Sequence, residues 1–278
     1  MSNVSLPEGA RLAITVNLLI EWWASHGKLP GSEYENRCLG STREYGAKVG
    51  ARRIADVLNN NKVKSTVMIS GIVAEKFPDL IRNLSNEGHD VAGHAWEQGT
   101  YTYKMTKEQE RETIKKVTSV IAATTGKKPQ GWSSPGRSLT DHTLELLMDE
   151  GYVWNGDLQD SDLPYPIRSG NKIIIIVPSG VPVTDLEEFI LFDHEGHRQT
   201  LRGPKAALDL MIEQFDACYS QASPKSPMKM SLGWHAFLSG KPGYTWALDE
   251  FLKYAKDHRE VVFPTALELA QYWLKNCI

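Results

Sequence analysis

The sequence predicts an α/β fold: an irregular (β/α) barrel of seven or eight mostly parallel strands, in a single domain over residues 1–278. Three observations predict it. Short apolar runs of strand length alternate with helical stretches along the whole chain. Several of those runs are continuously apolar rather than alternating, as at 173–177, which marks strands covered on both faces. Polar residues gather just past the carboxyl ends of the runs, where parallel α/β folds place their chemistry. No Gly-x-Gly-x-x-Gly follows a strand, so a dinucleotide fold is disfavoured.

The first strand is carried by Arg11-Leu-Ala-Ile-Thr-Val-Asn17, with Glu21, Trp22 and Trp23 just beyond it. Residues 24–45 are polar and rich in Gly, Ser, Arg and Glu, a long connection of the kind that serves function or moves. Residues 46–60 read as an amphipathic helix with Val49, Ile54, Val57 and Leu58 on one side. A strand at 64–69 follows, then a helix at 73–86 that Pro78 should break or restart. The third strand, 89–93, runs directly into His94-Ala-Trp96-Glu97-Gln98. Thr106-Lys-Glu-Gln109 is a capping box that opens a long helix closing near Gly126. Residues 130–134 form a fourth strand ending in Ser133-Ser-Pro-Gly-Arg137, and 141–150 a helix. Strands at 152–155 and 172–177 follow, the first leading to Asp157 and Asp162. A short helix at 184–191 precedes His194-Glu-Gly-His197, and 204–221 is helical. Residues 229–235 make a seventh strand ending at Trp234-His235, and 260–263 an eighth between helices at 245–258 and 266–275.

Composition narrows the function. Apolar residues make up 41% and charged residues 23%, so a large core forms and disorder is not expected. Net charge is −3 and the pI 6.3, which argues against nucleic acid as a partner. Cys38, Cys218 and Cys277 lie far apart and make no Cys-x-x-Cys pair, as in a reducing compartment. The N-terminus has no charged-then-apolar design and no run is long enough for a membrane span, so a cytoplasmic location is expected. The strand-end residues Asn17, Glu21, His94, Glu97, Ser133, Arg137, Asp157 and His235 should converge in a barrel, and two histidines with carboxylates and an arginine suit acid–base chemistry.

The stretches Ala13-Ile-Thr-Val-Asn17, Glu44-Tyr-Gly-Ala-Lys-Val-Gly50, Gly88-His-Asp-Val-Ala-Gly-His94 and Ser231-Leu-Gly-Trp-His235 carry a resemblance. Gly131-Trp132, Asp157 with Asp162-Leu-Pro164, Gly240-Lys-Pro-Gly243 and Ala270-Gln-Tyr-Trp273 extend it over nearly the whole chain. The chain resembles the polysaccharide deacetylase family, the NodB-homology or carbohydrate esterase 4 fold, and within it the cofactor-independent allantoinase-like branch. Metal-dependent members carry an aspartate pair on the first strand and His-x-x-x-His on the third. Here those positions hold Asn17 and Leu19, then His94 and Gln98, so only one of three ligands remains. An apolar leucine cannot bind a divalent ion, and a glutamine oxygen substitutes poorly for imidazole.

The resemblance implies that His235 is the general acid that protonates the leaving group. His94 is placed to bind a carbonyl or activate water, with Glu97 and Asp157 as the candidate bases. Asn17 would orient a substrate amide, and Arg137 would hold an anionic group. Glu21, Trp22, Trp96 and Trp234 complete the expected binding residues, the tryptophans suiting a flat ring, although core packing explains most indoles. The expected function is hydrolysis of a C–N bond in a small cyclic or linear amide, ureide or imide, with no metal cofactor. Two alternatives stay open: a catalytically silent barrel that binds a small ligand, and a zinc-dependent polysaccharide deacetylase with a remodelled site in which His194 and His197 take part. The expected partner is a small-molecule substrate, with no nucleic acid and no membrane, and the resemblance implies a homo-oligomer.

Overall fold

The computed structural model of the chain describes residues 5–23, 37–192 and 198–278. The first half runs β1 (Leu12–Ile20), α1 (Arg37–Tyr45), a π turn at Gly46–Gly50, α2 (Ala51–Asn60), β2 (Thr66–Ile69), α3 (Gly71–Lys76), α4 (Pro78–Asn86) and β3 (Asp90–Gly93). Then come α5 (Lys107–Thr125), β4 (Gly131–Trp132), α6 (Thr143–Glu150), β5 (Trp154–Asn155), β6 (Tyr165–Ser169), β7 (Lys172–Ile176) and β8 (Val181–Thr184). The chain finishes with β9 (Ile190–Phe192), β10 (Arg198–Leu201), α7 (Pro204–Gln221), β11 (Met228–His235), α8 (Ala236–Ser239), α9 (Pro242–Lys256), β12 (Val261–Val262) and α10 (Ala266–Asn276).

One curled sheet of ten strands organises these elements, in the order β6-β7-β5-β4-β3-β2-β1-β11-β8, with β12 beside the start of β1. Every pairing in it is parallel except β6 against β7. The α/β fold is the one expected, but the sheet is an open half-barrel with two strands more than the upper expectation. The added strands are β6 and β8, both at sheet edges, and both contain a proline (Pro166 and Pro182). Proline is tolerated at an edge because its missing N–H removes no ladder bond, yet in sequence it reads as a strand breaker. β9 and β10 pair in a separate two-stranded sheet that no apolar alternation announced.

Local signals elsewhere match the structure closely. Pro78 separates α3 from α4. The Thr106 hydroxyl accepts from the Gln109 N–H at 3.2 Å while the Gln109 side chain accepts from the Thr106 N–H at 2.8 Å. Gly126 ends α5 at φ 75°, a conformation glycine adopts without a Cβ penalty. Residues 37–45 of the expected polar connection form helix α1, and residues 24–36 lie outside the described residues. The helix expected from residue 46 starts as a π turn, which rotates Val49 out to solvent while Ile54 and Leu58 pack inward.

Strand β1 shows why the sheet has two cores. Leu12, Ile14, Val16, Leu18 and Ile20 point to the outer helices, and Ala13 and Leu19 to the concave side. The concave side is filled by Trp154, Met68 and Ile175 against Leu269, Ala270 and Trp273 of α10. That helix is tied to β2 by the Thr66 hydroxyl, which accepts from the Ala266 N–H at 2.8 Å. Packing from α10 closes the amino-terminal half of the bowl and leaves the strands' carboxyl ends for the site.

A buried lysine stands in the same strand row. Lys229 is 1% exposed and its ammonium donates to the Pro178 carbonyl at 2.6 Å, the Ser179 carbonyl at 3.3 Å and the Ser231 hydroxyl at 2.6 Å. Among the described residues no carboxylate offsets the burial, which pushes its pKa down to about 7. Between pH 7 and the ordinary lysine value the unfolded chain binds the proton and the folded chain does not, so folded stability rises with pH there. Below pH 7 the cost is present in full. Wild type should therefore gain stability relative to Lys229→Met between pH 7 and 10, read by urea unfolding. A difference flat with pH would mean that Lys229 titrates normally.

Candidate active site

Four strands deliver the central groups. In the register of β1 on β11, Asn17 lies opposite Gly233 and Leu19 opposite His235, so Glu21 emerges just above His235. His94 follows the last residue of β3, and Asp185 follows β8. Glu21, His94, His235 and Asp185 are all buried. A Glu21 carboxylate oxygen lies 3.2 Å from His94 Nε2 and 3.7 Å from His235 Nε2. On its other side His235 Nδ1 meets Asp185 at 2.6 Å, and the second Asp185 oxygen accepts the His235 backbone N–H at 2.8 Å.

The hydrogen-bond partners assign the protons. The Ser133 carbonyl, 2.6 Å from His94 Nδ1, can only accept, so Nδ1 carries hydrogen. His94 Nε2 then faces the Glu21 carboxylate at 3.2 Å, and a proton between them is shared by the two groups. For His235, burial pushes the pKa down, but the charges of Glu21 and Asp185 outweigh it and raise the value to about 9. At neutral pH His235 is an imidazolium with its Nε2–H toward Glu21. Burial pushes the Glu21 carboxyl up, and this is outweighed by His235, His94 and Arg43, which hold it below the ordinary glutamate value. The floor of the site thus contains an acceptor couple beside a charged donor.

Around this floor lies a cavity of about 210 Å³. Asn17, Glu21, His94, Arg137 and His235 all line it, joined by Ser133, Ser134, Ser179, Thr184 and Glu187. The other expected site residues go elsewhere. Glu97 accepts the Gly99 N–H at 2.7 Å and the Thr100 hydroxyl at 2.6 Å, closing its own turn away from the cavity. Asp157 accepts from the Ser133 hydroxyl, the Ser134 N–H and hydroxyl, and the Asn155 amide, so it holds the turn whose carbonyl orients His94. Trp22 packs on Phe77, Trp96 stacks under the Lys116 ammonium, and Trp234 is fully buried against Phe189 behind β11. None of the three lines the cavity. Asp185 was not singled out in the sequence, because the strand that carries it has Pro182 at its centre.

The described donor set does not fit the metal ion used by metal-dependent members of the family that the sequence resembles. Leu19 and Gln98 stand at two ligand positions, and the Gln98 amide donates to Ser70 at 3.1 Å and to the His94 carbonyl at 3.2 Å. Among the described residues no group of three or more His, Cys, Asp or Glu is arranged to hold an ion. His194 and His197 lie outside the described residues.

Comparison with known proteins agrees with this fold. Residues 31–154 match the family profile described as polysaccharide deacetylase. A peptidoglycan deacetylase of Helicobacter pylori is 21% identical over 287 residues, covering 95% of each chain. The solved structure of a probable polysaccharide deacetylase from Pseudomonas aeruginosa PAO1 superposes with a TM-score of 0.84 at 24% identity, over 97% of this chain and 93% of that one. That of Puue allantoinase superposes with a TM-score of 0.82 at 24% identity, over 97% and 92%.

Proposed function

We propose that this chain, whose residues 31–154 match the polysaccharide deacetylase profile, hydrolyses the C–N bond of a small amide, ureide or imide without a metal ion. One observation carries this reading: a buried Glu21 carboxylate set between His94 and a His235 that Asp185 orients. Water bound at the Glu21–His94 couple loses a proton to it as its oxygen attacks the carbonyl carbon. The His235 Nε2–H protonates the departing nitrogen as the C–N bond breaks. The products are a carboxyl group and an amine, and Glu21 returns the abstracted proton to His235 across their 3.7 Å contact. Asn17 orients the amide. A cavity of about 210 Å³ supports a small substrate over a polymer segment.

The test combines elemental analysis with hydrolysis of hydantoins, imides and ureides, with and without chelator. Turnover should survive the chelator on protein free of bound metal. Activity lost to chelator and restored by zinc would overturn the metal-free reading. No turnover of any substrate would favour a silent barrel.

A further inference from the structure

Resting on the hydrolase reading, we propose that the substrate carries a carboxylate, held by Arg137, so that the site takes anionic half-amides or carboxylate-bearing ureides rather than neutral ones. Among the described residues Arg137 is the only lysine or arginine that lines the cavity. Its backbone is costly to hold. Gly136 and Arg137 both have positive φ, 57° and 54°, and a left-handed non-glycine residue persists only where its surroundings impose it. Here Pro135 and the two serines, held to Asp157 by three hydrogen bonds, lead into the turn that brings the guanidinium to the cavity.

At that position the guanidinium is underused. Its ion pair is with Glu187 at 3.6 Å, too long for the bidentate fork that arginine makes with a carboxylate. Glu187 is half exposed, and it lines the same cavity, so it acts as a resident competitor that a substrate carboxylate displaces. A carboxylate at Arg137 takes the place of Glu187, so the exchange leaves the charge of the cavity unchanged once Glu187 turns to solvent. A second observation sets the other end of the ligand. Asn17 lines the cavity, and its buried side-chain oxygen has no hydrogen-bond partner among the described residues. An orphan acceptor asks for an N–H. An N–H at Asn17, a carbonyl carbon facing the water held by the Glu21–His94 couple and a carboxylate at Arg137 describe a small acyl amide with an acidic tail.

The experiment is calorimetric titration of the full chain with succinamate and with its neutral, equal-sized counterpart succinamide. Wild type should bind succinamate at least about ten-fold more tightly, the value of one charge-assisted pair. Arg137→Gln should erase the preference while leaving succinamide affinity unchanged. Glu187→Gln should strengthen succinamate binding several-fold, the opposite sign. Equal affinities in wild type, no binding of either at millimolar concentration, or a preference that survives Arg137→Gln would each overturn the inference. Binding needs no turnover, so the outcomes separate. A preference without hydrolysis of any amide would sink the hydrolase reading and leave the anion subsite, whereas hydrolysis without a preference would do the reverse.

Discussion

Replacing His235 by glutamine should lower kcat/KM by about 10²–10⁴-fold, the usual contribution of a positioned proton donor. The glutamine amide can still donate to Asp185, so the fold should hold, which urea unfolding checks alongside the kinetics. The wild-type pH profile carries the same information. His235 must be protonated to protonate the leaving nitrogen, and its pKa is raised to about 9. Activity should therefore persist through neutral pH and fall as pH rises through about 9. In His235→Gln that alkaline fall should vanish from the residual activity. A variant that keeps wild-type turnover would remove His235 from the chemistry.

Glu21→Gln should cost a similar factor, about 10²–10⁴, because it removes the carboxylate of the acceptor couple. It has a second consequence of opposite origin. Burial alone pushes the His235 pKa down, and the Glu21 charge is the foremost force raising it, so without that charge the alkaline fall should move below pH 9. The two effects are separable in one set of measurements: the rate loss reads the base, and the shifted limb reads the electrostatic coupling across 3.7 Å. A rate loss with the limb still at 9 would leave Asp185 and Glu187 as the groups holding the His235 proton. Unchanged kinetics would return the search for the base to the other carboxylates.

Much of the site was legible in the sequence because it follows strand ends. Asn17, Glu21, His94, Arg137 and His235 were each read as the polar group past an apolar run, and the structure brings all five to one cavity. Glu97 was read by the same rule and falls outside. The reason is local: Ala95 has φ 53°, which reverses the chain directly after His94 and sends Trp96 and Glu97 away from the cavity. No residue type announces that turn, since alanine seldom adopts it. Asp185 was missed for the converse reason, its strand being disguised by Pro182 at a sheet edge.

By itself the sequence determined what depends on neighbours along the chain. Continuous apolar runs specified parallel strands, the Thr106–Gln109 pair specified where α5 begins, and Leu19 and Gln98 specified that two ligand positions of the resembled family hold residues unsuited to a divalent ion. Only the tertiary structure decided which charges meet. Glu21, His94, Asp185 and His235 come from four strands, with 50 residues between the last two. The shifted pKa values of Glu21 and His235 arise from Coulomb interactions across a few ångströms of buried space. Such distances are set by sheet register and curl, which no local pattern encodes.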